Sequence, residues 1–303
     1  MRRLGITLLG FALAGCAFSP APREIMTQKD RETASGGLRK RVLVLPFVNR
    51  SDYQDETLTK TALFDVQQAV ENSPDLILIK PEELEDPESL YSANGEYHFR
   101  RVFELARRAN AAGVIVGRIE SLSMHEENDA TGVLGAKQYF ATARVHFQLY
   151  DAGNETEVFS RTASADVKQE RVPWLEIRGP ASEMEEGKQA VTSALTKVLD
   201  KFPAIARKLS WIGHIAKVDL NRYYVTGGEQ TGLRPGLLLR VYEPGHQVSD
   251  ATSGLALGQA PGRFKGLLRI TETFGADASV AVLYTGAGFK ENDRVEIHNP
   301  DHS

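Results

Sequence analysis

An α/β sandwich domain followed by a small all-β, barrel-like domain is the architecture predicted for this chain, placing it in the α+β or α/β class. Three patterns predict it. From Arg41 to Gly113, short apolar runs alternate with helical periodicity, as in a sheet with helices packed on it. From Tyr139 to Val167, two long runs alternate apolar and polar residues on either side of a turn, the pattern of a β-hairpin. From Trp211 to Ile297, short strands recur about every ten residues with glycines between them, which suggests a small barrel or sandwich.

The N-terminus comes first. Arg2 and Arg3 form a cationic start, Leu4 to Ala14 are almost wholly apolar, and the segment ends at Leu13-Ala14-Gly15-Cys16. The apolar run is too short to span a bilayer, which needs about 20 residues. The segment resembles a bacterial lipoprotein signal with its lipobox. That resemblance implies cleavage before Cys16, acylation of Cys16 and membrane attachment through the lipid. Residue 17 is Ala rather than Asp, which by the habit of such lipoproteins implies the outer membrane, facing the periplasm. Cys16 is the only cysteine, so no intramolecular disulfide can form. Residues 1–15 are thus expected to be signal peptide and 16–40 a flexible tether, with Pro20, Pro22, scattered charge and the Ser35-Gly36-Gly37 break. Such a tether reaches about 80 Å when extended and averages about 25–30 Å as a coil.

Residues 41–207 are expected to form the first folded domain. Arg41 to Phe47 reads as a strand buried on both faces. Leu58, Ala62, Val66 and Val70 recur at four-residue spacing and predict a helix from about Thr57 to Glu71. Leu76 to Ile79 is a second strand, stopped by Pro81. Phe99, Val102, Phe103, Ala106 and Ala109 share one face of a second helix, which Gly113 is expected to close. Val114 to Leu122 is a third strand. Tyr139–Leu149 and Thr156–Val167 form the hairpin around Asp151-Ala152-Gly153-Asn154-Glu155. Ser182-x-x-Glu185 is a capping box for a final helix whose apolar face carries Met184, Val191, Leu195, Val198 and Phe202.

Residues 208–303 are expected to form the second domain. Its strands run over Trp211–Val218, Arg222–Thr226, Leu237–Val241, Leu267–Thr273, Ser279–Tyr284 and Arg294–Ile297. Its turns are the clearest signal in the chain. Gly227-Gly228 precedes Gly232-Leu233-Arg234-Pro235-Gly236, where Pro235 and Gly236 suit a type II turn. The unit returns at Gly288-Phe289-Lys290, with Asn292 where Gly236 stood. Asn is the next best residue for a left-handed backbone. These glycines, with Pro235 and Asn292, are scaffold positions and carry no reactive group.

VLVLPFVNRS, AAGVIVGRIE and HFQLYDAGNETEVF resemble the α/β domain shared by TolB-N-like, CsgG-like and FlgT-middle-like periplasmic proteins. The barrel's motifs, ending in Asn292-Asp293-Arg294-Val295, resemble the C-terminal domain of FlgT, the flagellar H-ring family. That resemblance implies assembly rather than catalysis, with protein partners in a flagellar basal-body ring or comparable envelope machine, and self-association. The H-ring family's extra N-terminal domain is not expected in this chain, and the anchor expected here departs from that family, which lacks a lipobox. The CsgG-like resemblance leaves a secretion channel as the alternative. A membrane strand needs about 9–11 residues, and Tyr139–Leu149 is long enough. However, Arg161 on the apolar face of the return strand would cost about 2–4 kcal/mol in mid-bilayer.

Composition excludes little else. A net charge of −4 gives no basic footprint for nucleic acid. There is no P-loop, G-x-G-x-x-G, G-x-S-x-G or H-E-x-x-H motif, so no catalytic residue, metal or cofactor is expected. His125-Glu126-Glu127-Asn128-Asp129 reads as a solvated polar loop. His146 falls on the polar face of a strand. Trp174 and Trp211 sit beside domain edges, either as partner anchors or buried between domains.

Overall fold

The computed structural model describes residues 37–92, 96–128, 137–171, 184–260 and 262–298. Residues 40–171 supply six strands: β1 (Lys40–Val44), β2 (Val48–Asn49), β3 (Leu76–Ile79), β4 (Ala111–Asn128), β5 (Lys137–Asp151) and β6 (Thr156–Arg171). They build a mixed sheet in the order β3-β1-β4-β5-β6, and β2 pairs with β4. β1 runs parallel to β3 and β4, whereas β4, β5 and β6 are antiparallel.

Helices cover both faces of the β1 region. They are α1 (Glu56–Glu71), α2 (Phe99–Arg108) and α3 (Glu185–Leu199). Val42 and Val44 turn to one face, with α1 and α3. Leu43 and Leu45 turn to the other, with α2. A parallel strand between two helical layers must be apolar on both sides, which is why RVLVL shows no alternation. The alternation of β5 has the opposite cause. Ala141, Ala143, Val145, Phe147 and Leu149 are buried in the α1–α3 core, whereas Thr142 and Arg144 on the far face are exposed. Phe147 is sealed edge-on by Phe159 and Phe202.

Three expectations in this part are corrected. Gly113 does not close α2: it lies inside β4, whose extended backbone starts at Ala111. The helix ends at Arg108, and Asn110 takes the left-handed turn at φ 57°. His125 to Asn128 are not a loop but the end of β4, where the His125 ring stacks on Phe140 at 4.9 Å. Phe202 does not extend α3 but opens a separate short helix, α4 (Phe202–Ala206). Ser182 of the capping box lies outside the described residues.

The C-terminal part supplies β7 (Ile212–Asp219), β8 (Arg222–Thr226), β9 (Leu238–Tyr242), β10 (His246–Ser249), β11 (Ala256–Ala260), β12 (Phe264–Phe274), β13 (Ala278–Gly286) and β14 (Arg294–Ile297). Six of them close a barrel in the order β12-β13-β8-β7-β14-β9. β10 and β11 pair as a separate hairpin inserted after β9. The short alternating strands close around Ile215, Val225, Leu239, Val241, Leu268 and Ile270.

The barrel is two copies of one three-strand unit, β7-β8-β9 and β12-β13-β14. Exchanging the copies preserves every pairing. β8 and β13 meet antiparallel about Tyr224–Val280, and β9 and β14 meet about Arg240–Glu296. β7 pairs with β14 through His214–Arg294, and β12 with β9 through Arg269–Leu238. Even the bulges correspond, after Ile215 in β7 and after Ile270 in β12.

The glycine turns hold this symmetry. Gly236 N–H donates to Ile270 O at 2.9 Å, and Ile270 N–H returns a bond to Leu237 O at 2.9 Å. In the other copy Asn292 N–H donates to Ile215 O at 2.8 Å and Ile215 N–H to Asp293 O at 2.9 Å. Gly236 has φ 93° and Asn292 φ 68°, so both stand in the left-handed region that glycine and asparagine tolerate best. Gly232 and Gly288 also have positive φ, 84° and 75°, and each places an apolar residue, Leu233 or Phe289, in the barrel core.

Candidate functional site at the seam of sheet and barrel

The sheet and barrel meet along a seam built by short polar side chains. Asn110, at the turn from α2 into β4, presents its Oδ1 to the barrel. It accepts from Thr226 Oγ1 at 3.0 Å and stands 2.7 Å from His214 Nδ1. Asn can hold the left-handed backbone and accept these bonds at once, and Gly could do only the first. Burial lowers the His214 pKa below its ordinary value, because the charged ring would lose its water. With His214 neutral, Nδ1–H donates and Nε2 is left as an acceptor.

A second contact lies at the opposite edge of β1. Arg41 Nη2 meets Asp277 Oδ2 at 2.7 Å. The other oxygen of Asp277 accepts from Gly228 N at 2.5 Å, Thr231 N at 3.2 Å and Thr231 Oγ1 at 3.1 Å. Gly228 cannot carry a side chain, since a Cβ there would fall 2.6 Å from Ala278 N. Residues 37–41 run along this edge: Leu38 packs against the barrel core and Arg39 N–H bonds Thr231 O at 3.0 Å. The Arg39 side chain caps Leu76 O at 2.7 Å.

Beside the Asn110–His214 contact is a cavity of about 490 Å³, lined by α2, the β5–β6 turn, the barrel and the β10–β11 insertion. Its charged lining residues are Glu104, Arg107, Arg108 and Arg294. Each arginine has a carboxylate partner: Arg107 pairs with Glu155 at 2.6 Å, Arg108 with Glu104 at 2.7 Å and Arg294 with Glu296 at 2.6 Å. Only Arg107–Glu155 joins two elements, α2 and the β5–β6 turn; the other two pairs lie within α2 and within β14.

The structure places the sequence-derived sites unevenly. Leu13, Ala14, Gly15 and Cys16 lie outside the described residues, as does Trp174. Gly227 and Gly228 enter the seam through Asp277, since Asp277 O accepts from Gly227 N at 3.0 Å. Gly232 packs against Gly37 O, Asn292 borders the cavity, and Pro235, Gly236 and Gly288 stand away from it. Trp211 is buried within the barrel rather than between domains, and its indole covers Gly213 and Gly227. His146 bonds Thr162 Oγ1 at 2.9 Å on the open sheet face. No group of three potential metal ligands occurs among the described residues. Asn110, His214, Arg41 and Asp277 were missed by sequence reasoning. Asn110 carried one usable signal, an asparagine just past the last arginine of a helix.

No protein-family model matches the chain, and no curated protein matches it. Several solved structures are similar to about half of it. The PelC dodecamer from Paraburkholderia phytofirmans is 20% identical over 53% of this chain and 86% of its own, with a TM-score of 0.29. Lipoprotein GNA1162 from Neisseria meningitidis is 14% identical over 55% and 99%, with a TM-score of 0.32. The LpoB C-terminal domain from Salmonella enterica is 14% identical over 45% and 90%, with a TM-score of 0.31. Solved neighbours thus include a bacterial lipoprotein, at a level of likeness that carries no functional argument.

Proposed function

We propose that this chain is a lipid-anchored assembly protein of the bacterial envelope, working by contact and not by catalysis. The observation that carries the reading is the Leu13-Ala14-Gly15-Cys16 boundary after a short apolar run. Acylated at Cys16, the protein would sit on the periplasmic face of the outer membrane, with the sheet and barrel standing off the surface. Its partners would be proteins of a flagellar basal-body ring or a comparable machine, together with further copies of itself, and not nucleic acid. The turn motifs of the barrel and their FlgT-like order support the flagellar form of this reading. The soluble hairpin is favoured over the secretion channel because α3 covers the apolar face of β5 and β6, including Ala143, Val145, Ala163 and Ala165.

Two measurements test it. Cys16→Ala should move the protein from the membrane to the soluble fraction, and retention in the membrane refutes the anchor. Cells lacking the protein should show incomplete basal-body rings by electron microscopy and lose motility. Intact rings remove the flagellar assignment.

A further inference from the structure

The doubled barrel gives this protein two equivalent faces, and the sheet occupies one of them. On the seam side Ile212, His214, Thr226 and Arg294 meet the sheet at Asn110 and Gly153. The symmetry-related positions are Leu267, Arg269, Val282 and Leu238, on β12, β13 and β9. All four are half-buried, and the principal contacts of these three strands are with other strands of the barrel.

The second face is the more apolar. Where the first copy has Gly227-Gly228, the second has Leu283 and Tyr284, exposed at 49% and 40%. A bulge between Leu267 and Leu268 leaves Tyr284 out of the ladder, so that neighbouring side chains can both reach solvent. Arg269 lies over the Tyr284 ring at 4.6 Å, and Arg240 over the half-exposed Phe264 at 5.8 Å. Tyrosine, leucine and arginine in one exposed patch supply the aromatic and guanidinium groups that carry binding energy at protein interfaces.

We infer that this face docks a second copy of the same chain, on the surface formed by its acidic segment Pro81–Leu90. That segment exposes Glu82, Glu83, Glu85, Asp86 and Glu88. Beside it Tyr91 and Phe99 stand 41% and 38% exposed, their rings tilted against Tyr97 and Phe103. A basic aromatic surface and an acidic aromatic surface are complementary in charge and in kind. Face-to-face pairing of two barrels would bring two arginine-bearing patches together, whereas the acidic segment offers the opposite charge. A contact between unlike surfaces repeats from copy to copy and closes into a ring or grows into a filament. The inference rests on the assembly reading and names its partner surface.

The test uses the full chain in detergent micelles, followed by sedimentation velocity over a concentration series. One variant, Arg269→Glu with Tyr284→Ser, spoils the barrel face. Another, Glu82→Lys with Glu88→Lys, spoils the acidic face. Leu283→Ser is a milder barrel-face variant, and unchanged thermal unfolding confirms that each is folded. The wild-type protein should form oligomers, and each variant alone should associate about tenfold more weakly or worse. Mixed in equal amounts, the two double variants should form one-to-one dimers that grow no further. A wild-type protein that stays monomeric, or a folded barrel-face variant that associates as well as wild type, overturns the inference. Neither result bears on the anchor, which fails separately if Cys16→Ala stays in the membrane.

Discussion

At Asp277 one carboxylate receives four donors: the amides of Gly228 and Thr231, the Thr231 hydroxyl and the Arg41 guanidinium. Its side chain is only 4% exposed, so water cannot replace it there. Asp277→Ala should destabilise the protein by about 2–3 kcal/mol, the range for losing bonds to a charged group with their donors left buried. Chemical denaturation measures this, and a loss within experimental scatter would remove Asp277 from the seam. His214 gives the seam a pH dependence of known sign. Its folded pKa lies below the ordinary value near 6.5, so the unfolded chain binds the proton more readily. Stability from this group is complete above about pH 6.5, falls as the pH drops through that value, and levels off below the folded pKa. His298 is shifted the same way by burial and by Arg240. His214→Gln should therefore flatten part, not all, of the decline in melting temperature between about pH 7.5 and 5. An unchanged profile would mean that His214 titrates as it does in water.

The paired turns are a test at the scale of elements, because they perform one task with different residues. At Gly236 a Cβ would meet nothing within 4 Å, so only the positive φ resists substitution. Gly236→Ala should cost about 1–2 kcal/mol for that conformation, whereas Asn292→Gly should change stability by less than about 0.5 kcal/mol. Comparable losses at both positions, read from denaturation midpoints, would contradict the equivalence. These turns were legible in the sequence because backbone geometry restricts which residues can occupy them. The strand pairing around them was not, since Arg294 and Leu238 or His214 and Arg269 share a place in the ladder without sharing chemistry. Alternation exposed β5 because α3 buries one face of it. β10 and β11 escaped because HQVS and the glycine-containing ALGQA bear little apolar alternation. The end of α2 was misread because Ala-Ala-Gly resembles a helix terminus, yet the left-handed residue is Asn110. The seam was illegible for a simpler reason: its contacts join residues more than a hundred positions apart.

For the molecule as a whole, the question is whether sheet and barrel behave as one body. The seam joins hydrogen bonds and an ion pair to local apolar contacts of Ile212 and Leu38, not a continuous apolar core, since the sheet cores and the barrel core are separate clusters. Asn110→Gly keeps the left-handed backbone and deletes the acceptor for His214 and Thr226. Combined with Arg41→Ala, it should split a single calorimetric transition into two, with the barrel and the sheet melting apart. One transition persisting in the double variant would show that other contacts couple them. The route of residues 37–41 adds a mechanical corollary. Gly37 O would lie 2.4 Å from a Cβ on Gly232, and Arg39 and Arg41 grip the sheet and the barrel immediately afterwards. A pull on the N-terminus, such as a lipid held in a membrane would exert, would be met first by Leu38 and the Arg39–Thr231 bond on the barrel and then by Arg41 and β1 in the sheet, so the joint between the two halves would carry the load.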